Sequence, residues 1–357
     1  MGLLAAVALA FGASGCGTSA SDAEFELTVT NFNHIDASES AVLHWFLDEV
    51  EERSEGRVEF ERYDQEQLCS GAETTECVRD GRADIGATIP SYKPGEFEIS
   101  EIMNMPFQSQ NAEAVGQAYA KLLESNEEVA SEGESMGLKQ LWVTSTDVSI
   151  FGATEPIEGI DGLANMRSRS AGEGMTYALE AIGASPVNTT ASEMYEAMQN
   201  GVIDVWFNLI SGGSDYNLFE VSEHWRTTGF GTYINVIQVI NQETWDSLPD
   251  DIQQIFNETV TDLNAGAGYD VLAETMQEQC DKVIDAGTLE SWETWDDSAT
   301  DEWENALGDT VVEEWKSNVE GKVDDPDALR EEFLTYLEEA EASSDFVSPA
   351  IGCSERV

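Results

Sequence analysis

Basic residues are scarce in this sequence. Its 357 residues include 16 Lys and Arg against 71 Asp and Glu, which gives a net charge of −55 at pH 7. A nucleic-acid-binding protein needs a basic footprint, and charge-driven contact with anionic lipid needs one too, so the composition argues against both classes. It also argues against disorder, because 41% of the residues are hydrophobic and the chain contains 9 Trp, 9 Tyr and 14 Phe.

The acidic residues are spread along the whole chain and are not gathered in a tail. In about 1 M salt the Debye length is only about 3 Å, so self-repulsion between these charges is largely screened. We therefore predict an extracytoplasmic protein of a salt-loving microbe. The alternative is an acidic protein of an ordinary organism, which would fold fully in dilute buffer.

Long apolar runs are also lacking. Residues 3–13 read LLAAVALAFGA, which is too short to span a bilayer but suits the core of a signal peptide over residues 1–15. The run ends in Ala13-Ser14-Gly15-Cys16, which resembles a lipobox. We predict lipidation of Cys16, a tether over residues 16–24 and attachment to the membrane by lipid only. A plain secretory signal is the alternative, since no Lys or Arg precedes the run.

Cysteine is limited to five residues, and a lipidated Cys16 leaves four. An even number in an oxidising compartment indicates disulfides among Cys69, Cys77, Cys280 and Cys353. Cys69 and Cys77 are close enough to form a small loop, and the other two would then tie the C-terminal tail to the body. Four cysteines allow three pairings, and the sequence does not choose among them. Without a CxxC motif and with three His, we predict no metal and no cofactor.

The chain from residue 25 begins with a strand–helix–strand pattern. Residues 25–32 alternate as a strand, residues 39–54 have a helical apolar stripe that Gly56 ends, and residues 57–63 return to a strand. This order predicts parallel strands in an α/β sheet. Farther along, helical spacing of apolar residues predicts one amphipathic helix from about 250 to 283.

An internal echo indicates two lobes built on related plans. The segment VRDGRADI (78–85) resembles MQNGVIDV (198–205): in each, a helix ends at Gly and an Asp precedes a strand. Thr88 and Asn208 each follow that Asp by four residues. Both are expected at the carboxyl ends of strands, where open α/β sheets bind their ligands.

Four segments together resemble the substrate-binding proteins of TRAP (tripartite ATP-independent periplasmic) transporters. They are GRADIGA with SYKPGEFEISEIMNMPF (81–107), NMRSRSAGEGMTYALEAIGASPV (165–187), SEMYEAMQNGVIDVWFN (192–208) and VINQETWDSLPDDIQ (239–253). The resemblance implies an α/β, two-lobed periplasmic-binding-protein-like fold with mostly parallel sheets and a long bridging helix. We place lobe I at 25–148 plus 231–278 and lobe II at 149–230 plus 279–357.

The same resemblance implies a monomeric binding protein without catalytic activity. It would capture a small organic acid in the interlobe cleft and deliver it to a TRAP permease driven by an ion gradient. Arg167 fills the family's pattern for the carboxylate anchor, after Asn165 and Met166, and Asn208 matches a ligand-contacting Asn by position. No second Arg is present in residues 142–152, which favours a monocarboxylate, or an acid with an apolar or aromatic body.

Further candidates follow from strand periodicity and loop position. Arg169 lies on the strand face of Arg167 and is the second choice as anchor, because an Arg fork grips a carboxylate with two hydrogen bonds. Trp206 shares a face with Asn208 and would wall the cleft, or else pack in the core. The remaining candidates are Thr88, Tyr92, which would close over the ligand, Tyr233, and Asn31, Asn33 and His34 on the opposite rim.

Two other classes compete with this interpretation. A carboxylate-based hydrolase would use paired acids, but with 71 acids such pairs are inevitable, and no GxSxG, HExxH, Walker or Rossmann motif occurs. A solute-binding lipoprotein of an ATP-driven importer or of a sensor would have a similar fold and cleft, so the sequence separates it poorly.

Overall fold

The computed structural model describes residues 23–357. The predicted signal peptide and Cys16, the predicted site of lipidation, lie outside this range. The strands are β1 (Phe25–Thr30), β2 (Val58–Tyr63), β3 (Ile85–Thr88), β4 (Leu138–Thr144), β5 (Val148–Ala153), β6 (Arg167–Ser170), β7 (Ser185–Asn188), β8 (Val205–Asn208), β9 (His224–Thr232), β10 (Val236–Asn241) and β11 (Ser291–Thr294). They form two sheets, as the predicted two-lobed α/β fold requires.

Fourteen α-helices accompany the strands in the described range. They are α1 (Ser38–Arg53), α2 (Thr74–Arg79), α3 (Ala112–Ser125), α4 (Glu127–Glu134), α5 (Glu173–Ala181), α6 (Met194–Gln199), α7 (Ile210–Asp215), α8 (Gln242–Ser247), α9 (Asp250–Asp262), α10 (Gly268–Ala286), α11 (Asp297–Leu307), α12 (Thr310–Asn318), α13 (Pro326–Glu341) and α14 (Pro349–Ser354).

The first sheet has the strand order β2-β1-β3-β10-β4. β1 is parallel to β2 and β3, which confirms the strand–helix–strand start, whereas β10 is antiparallel to both β3 and β4. Helix α1 forms because Val42, Phe46 and Val50 recur at helical spacing, and all three are buried. Phe46 packs on Trp142 of β4, with ring centroids 4.1 Å apart.

The second sheet has the strand order β11-β9-β5-β8-β6-β7. Strands β6, β7 and β8 run parallel, and β5 runs antiparallel to its neighbours β8 and β9. Phe151, Phe207, Phe230 and Trp303 pack against one another on one side of this sheet. Parallel strands in both sheets place several strand ends at the same edge, where the candidate site lies.

Two short crossovers join the sheets. Residues 145–147 connect β4 to β5, and residues 233–235 connect β9 to β10. The side chain of Asn235 ties the two crossovers together: its Oδ1 accepts from the Ser145 hydroxyl at 2.7 Å and from the Thr146 amide at 3.3 Å. Its amide donates to Asn104 at 2.8 Å. The lobes are therefore interleaved, and their connections form one hydrogen-bonded unit.

The predicted long helix is present but interrupted, so the expectation of an unbroken run was wrong. α9 passes through a π-helical turn, Leu263–Ala267, before α10 begins. The cause is Gly266, whose φ of 128° is incompatible with a regular helix. α10 still bridges the sheets, because its Gln279 amide bonds Asp36 before α1 and Asp215 of α7.

The C-terminal helices divide between the lobes, which corrects the predicted placement of residues 279–357 in lobe II. α11 packs on α5, where the Trp303 indole donates to the Ala178 carbonyl at 2.7 Å. α13, by contrast, packs on α3 of lobe I, because its apolar stripe of Leu329, Phe333 and Leu337 joins the core of that lobe. An amphipathic stripe shows that a helix packs, but not on which lobe.

The disulfides are Cys69–Cys77 and Cys280–Cys353. This confirms the four predicted cysteines and selects one of the three pairings. The second bond ties α14 to α10, as expected for the C-terminal tail. Within residues 23–357, no helix combines the length and the apolar character needed to cross a bilayer.

Candidate ligand-binding site

The two halves of the internal echo have the same structure. Gly81 and Gly201 end α2 and α6 with φ of 71° and 64°, the left-handed conformation that favours glycine. Asp84 then accepts from the backbone N–H of Thr28 at 2.8 Å, and Asp204 accepts from that of Arg167 at 2.9 Å. Each Asp thereby anchors the start of its strand to a neighbouring strand.

A cleft lies at the opposite, carboxyl ends of these strands and encloses about 520 Å³. Its walls come from both sheets: from the β1–α1 connection, the loop after β3, the first crossover, β6, β8 and α7. The lining residues are Phe32, Asn33, His34, Ala37, Glu39, Ile89, Tyr92, Thr146, Arg169, Ala191, Asn208, Leu209, Ser211, Gly212, Asp215, Tyr216, Ile234 and Val236. The location agrees with the expected position of a ligand in an open α/β protein.

Arg169 is the basic residue of this cleft and is only 1% exposed. Its Nε donates to the Thr189 carbonyl at 3.1 Å, and its Nη1 donates to the Phe207 carbonyl at 2.8 Å. A guanidinium has five N–H donors, so three are left over. The Tyr92 hydroxyl also contacts the guanidinium. The carbonyl of Phe207 in β8 and that of Thr189, just after β7, therefore hold the side chain in place where it lines the cleft.

Arg169 has no carboxylate partner within residues 23–357 of a chain that carries 71 acids. The other deeply buried arginine, Arg226 at 4% exposure, does pair, with Glu293 at 3.2 Å. Burial lowers the pKa of Arg169, although the surrounding tyrosines act in the opposite direction. A buried cation without an acid partner is costly unless something else supplies the negative charge.

Arg167, the first choice from the sequence, does not lie in the cleft. It is the first residue of β6, at the end of the strand away from the cleft, and its side chain is 48% exposed. Its Nε donates to Asp204 at 2.9 Å, and this contact lowers the pKa of the Asp204 carboxyl and raises the pKa of the Arg167 guanidinium. The family pattern predicts an anchor at the end of a strand, but β6 begins at Arg167, so this residue lies at the amino end of the strand.

Asn208 lines the cleft at the end of β8, as predicted. Its Oδ1 accepts from the Leu209 amide at 2.8 Å, and its Nδ2 donates to the Met194 sulfur at 3.6 Å. Trp206, two residues earlier, is fully buried and does not line the cleft. Its indole donates to Ser222 at 2.8 Å and its ring packs edge-on against Trp225, so it belongs to the core, the second of its two predicted roles.

Tyr92 lines the cleft from the loop after β3, together with Asn33 and His34. Thr88 ends β3 as expected, but its hydroxyl faces Thr75 at 3.3 Å and is not part of the lining. Asn31 is likewise turned away and bonds Ser40 and Asp64.

Tyr233 lines a neighbouring cavity of about 810 Å³ instead. Its hydroxyl accepts from the Met175 amide at 2.8 Å. That cavity contains no basic side chain and five glutamates, Glu96, Glu98, Glu101, Glu173 and Glu314. An organic anion would be repelled there, so the cleft at Arg169 is the site that suits one.

Sequence reasoning missed two acids of the cleft, Glu39 and Asp215. Burial raises the pKa of Glu39, and burial together with the nearby Glu39 raises the pKa of Asp215 to about 7. Neither acid belongs to a segment with a recognisable motif. Because the chain contains 71 acids, the sequence does not distinguish these two from the others. A possible metal-binding group of the described range, Glu223, His224 and Glu290, lies outside the cleft lining.

Comparisons with known proteins agree with this geometry. Residues 31–317 match the family model described as bacterial extracellular solute-binding protein, family 7. The C4-dicarboxylate-binding periplasmic protein DctP of Rhodobacter capsulatus is 25% identical over 288 residues, which is 79% of this chain and 85% of that protein.

Solved structures show the same fold. A TRAP solute-binding protein from an unidentified marine microbe, specific for aromatic acid ligands and bound to 3-hydroxybenzoate, is 22% identical with a TM-score of 0.80; 90% of this chain and all of that one are covered. A TRAP solute-binding protein from Rhodoferax ferrireducens in complex with benzoate is 19% identical with a TM-score of 0.79, covering 89% and 99%. The two-lobed fold with an interlobe cleft is therefore confirmed.

Proposed function

The chain belongs to family 7 of the bacterial extracellular solute-binding proteins, and on that premise we propose that it captures a small organic acid in the cleft, with Arg169 as the carboxylate anchor. One observation carries this assignment: Arg169 is 1% exposed, lines the cleft and has no acid partner among residues 23–357. The carboxylate of a ligand supplies the missing negative charge.

The proposed contact is strong enough to support micromolar binding. Charged hydrogen bonds contribute about 1.5–3 kcal/mol each, so two of them convert millimolar affinity into micromolar or better. Because Thr189 and Phe207 already hold the guanidinium, little side-chain freedom is lost on binding. High salt screens the repulsion between ligand and protein at long range, but acts little on a desolvated contact.

The relatives give a range of ligands for the test. DctP of Rhodobacter capsulatus binds C4-dicarboxylates, and related structures contain benzoate, mandelate or 3-hydroxybenzoate. In this cleft Arg169 is the one arginine or lysine of the lining, and Phe32, Tyr92 and Tyr216 supply aromatic surface. This composition supports a ligand with one carboxylate and favours it over a dicarboxylate.

Delivery of the ligand depends on closure of the two lobes around it. A ligand that contacts both lobes stabilises the closed form by its additional contacts there. The crossovers at 145–147 and 233–235, joined through Asn235, are the proposed hinge. A TRAP permease would then recognise the closed form. Membership of this family favours such a permease over an ATP-driven importer, and a binding role over catalysis.

We further propose that the protein is lipid-anchored through Cys16 on the extracytoplasmic face of the membrane and acts as a monomer. The apolar run of residues 3–13 and the Ala13-Ser14-Gly15-Cys16 sequence support the anchor. The intact mass of the membrane-extracted protein checks it, since an N-terminal Cys16 without acyl chains would contradict the anchor.

The anchor is tested by a pair of arginine variants and a fixed panel of acids. Calorimetric titration would use benzoate, mandelate, 3-hydroxybenzoate, pyroglutamate, orotate, galacturonate and succinate. For the tightest binder, Arg169→Lys is expected to weaken binding about 100-fold, because lysine keeps the charge but loses the planar fork. Arg167→Lys is the matched control, and its affinity should stay within about twofold of wild type.

Circular dichroism and melting curves establish that both variants are folded. Unchanged affinity in a folded Arg169→Lys variant would contradict the anchor. Loss of binding in Arg167→Lys alone would restore the anchor that the sequence first indicated.

A further inference from the structure

Glu39 is a buried acid of the same cleft as the anchor. It lies in the first turn of α1, is 4% exposed and lines the same cavity as Arg169. Its carboxylate is held by its own backbone N–H and by the Ser38 hydroxyl. No ion pair within residues 23–357 joins it to a basic side chain. The cleft thus presents one unpaired cation and, separately, one unpaired acid.

Asp215 adds a second carboxyl to the same wall. It ends α7, is 9% exposed and lines the cleft. The Gln279 amide donates to it at 3.2 Å, while the nearby Lys282 ammonium bonds the Ser214 carbonyl at 2.8 Å. Glu39 and Asp215 are close enough for each charge to affect the other. Two carboxyls that affect each other therefore line the cleft, and neither forms an ion pair with a basic side chain of residues 23–357.

Thr146 provides an independent sign of a polar ligand contact in this cleft. It belongs to the first crossover, is fully buried and lines the cleft. Its amide bonds Asn235, but its hydroxyl has no partner within the described range. Buried hydroxyls are ordinarily hydrogen-bonded, so an unpaired one that lines a cavity indicates a polar group that arrives with the ligand.

Tyr92 lines the cleft together with Arg169 and Glu39. Its phenol contacts the Arg169 guanidinium and is within electrostatic reach of Glu39. Arg169 and Glu39 line the same cleft, and no ion pair within residues 23–357 joins them. A single small molecule in the cleft can meet both.

From this arrangement we propose that the ligand is a zwitterion, a small carboxylate that also bears a cationic nitrogen, with Glu39 and Asp215 facing the nitrogen and Arg169 holding the carboxylate. The inference rests on the proposed function and narrows its substrate class. A second carboxylate on the ligand would be placed against two acids and is repelled. An ammonium or substituted ammonium neutralises them and can also donate to the Thr146 hydroxyl.

A helix-stabilising role does not explain the burial of Glu39. An acid in the first turn interacts favourably with the positive end of the helix, but an exposed acid does so without losing its hydration. Burial on the cleft wall disfavours the charged form unless a cation arrives. The burial of Glu39 is therefore explained by binding of a cationic group and not by folding alone.

Matched pairs of acids test the proposal in calorimetric titrations. Each pair compares an amino acid with an acid of similar shape that lacks the cationic nitrogen: alanine with propionate, phenylalanine with 3-phenylpropionate, and proline with cyclopentanecarboxylate. For the pair that fits the cavity, the wild type is expected to bind the amino acid about tenfold tighter or more. In Glu39→Gln the amino acid and the plain acid should bind with about equal affinity, and the affinity for the plain acid should be the same as in the wild type or higher.

Glu52→Gln is the matched control, since it makes the same change on an exposed position of the same helix. It should keep the wild-type preference. A wild type that binds the plain acids as tightly as their amino partners, or that binds none of the amino acids, overturns the proposal. The results distinguish this proposal from the proposed function. If plain acids bind as tightly as amino acids and their binding depends on Arg169, the zwitterion is refuted while the proposed function stands.

Discussion

Buried carboxyls are the main feature at the scale of single residues. Glu101, Asp147 and Asp215 each have a pKa raised to about 7, chiefly because burial disfavours the charged form. In the unfolded chain these groups titrate near pH 4. Between pH 4 and 7 the native state therefore keeps protons that the unfolded state releases, so raising the pH lowers stability across this window.

Asp147 allows this effect to be measured outside the cleft. It lies in the first crossover, is 1% exposed and accepts from the Val148 amide at 2.7 Å and from the Ser348 hydroxyl. Asp147→Asn keeps an oxygen for both donors and removes the charge. We expect the variant to melt a few degrees higher than wild type at pH 8 and at nearly the same temperature at pH 5.

The control for this comparison is Asp345→Asn, an exposed acid in the same C-terminal segment as Ser348. Its melting temperature should follow that of the wild type at both pH values. If Asp147→Asn destabilised the protein at pH 8, the carboxylate would be charged and needed in the native state, contrary to the prediction.

At the scale of elements, short repeated units place the site. The helix–Gly–Asp–strand unit occurs twice, and in both copies the Asp bonds the backbone of a neighbouring strand. This bond fixes the amino ends of β3 and β8, so Thr88 and Asn208 reach the carboxyl ends. The cleft is formed where such ends from the two sheets face each other.

The disulfides offer a matched comparison of two crosslinks. Cys280–Cys353 joins positions 73 residues apart and ties α14 to α10, whereas Cys69–Cys77 spans only 8 residues. In the loop-closure model, the longer loop stabilises the folded state by about 2 kcal/mol more. Replacing Cys280 and Cys353 by alanine should therefore lower the melting temperature more than replacing Cys69 and Cys77.

Thermal unfolding of the two double variants measures this difference. The same changes in side-chain volume are made in each, and all four cysteines are buried, so cavity effects are comparable. An equal or smaller loss for the Cys280–Cys353 variant would show that α14 is held mainly by its packing, through buried residues such as Ala350.

At the scale of the whole molecule, charge decides the conditions for folding. A net charge of −55 spread over the surface destabilises the compact state in dilute buffer, because like charges repel over a Debye length of about 10 Å at 0.1 M salt. The described salt bridges are mostly exposed pairs, which contribute little each. Screening by salt, and not ion pairing, must then offset the repulsion.

We therefore expect the melting temperature to rise by roughly 10 °C or more between 0.1 M and 2 M NaCl. Circular dichroism measures the melting temperature. Sucrose at equal osmolality is the control, because it stabilises folded proteins by exclusion from their surface without screening charge. A protein that is fully folded and equally stable in dilute buffer would refute the halophilic interpretation and leave an acidic protein of an ordinary organism.

The sequence alone determined the family, the α/β class, the first strands and helix, and the edge of the sheets where the candidate site lies. These follow from apolar periodicity, glycine stops and motif order, which are local properties of the chain. The tertiary structure decided which arginine lines the cleft, which acids line it as well, how the cysteines pair and which lobe α13 covers. Those outcomes depend on where a four-residue strand begins and on contacts between distant segments, and local patterns do not encode either.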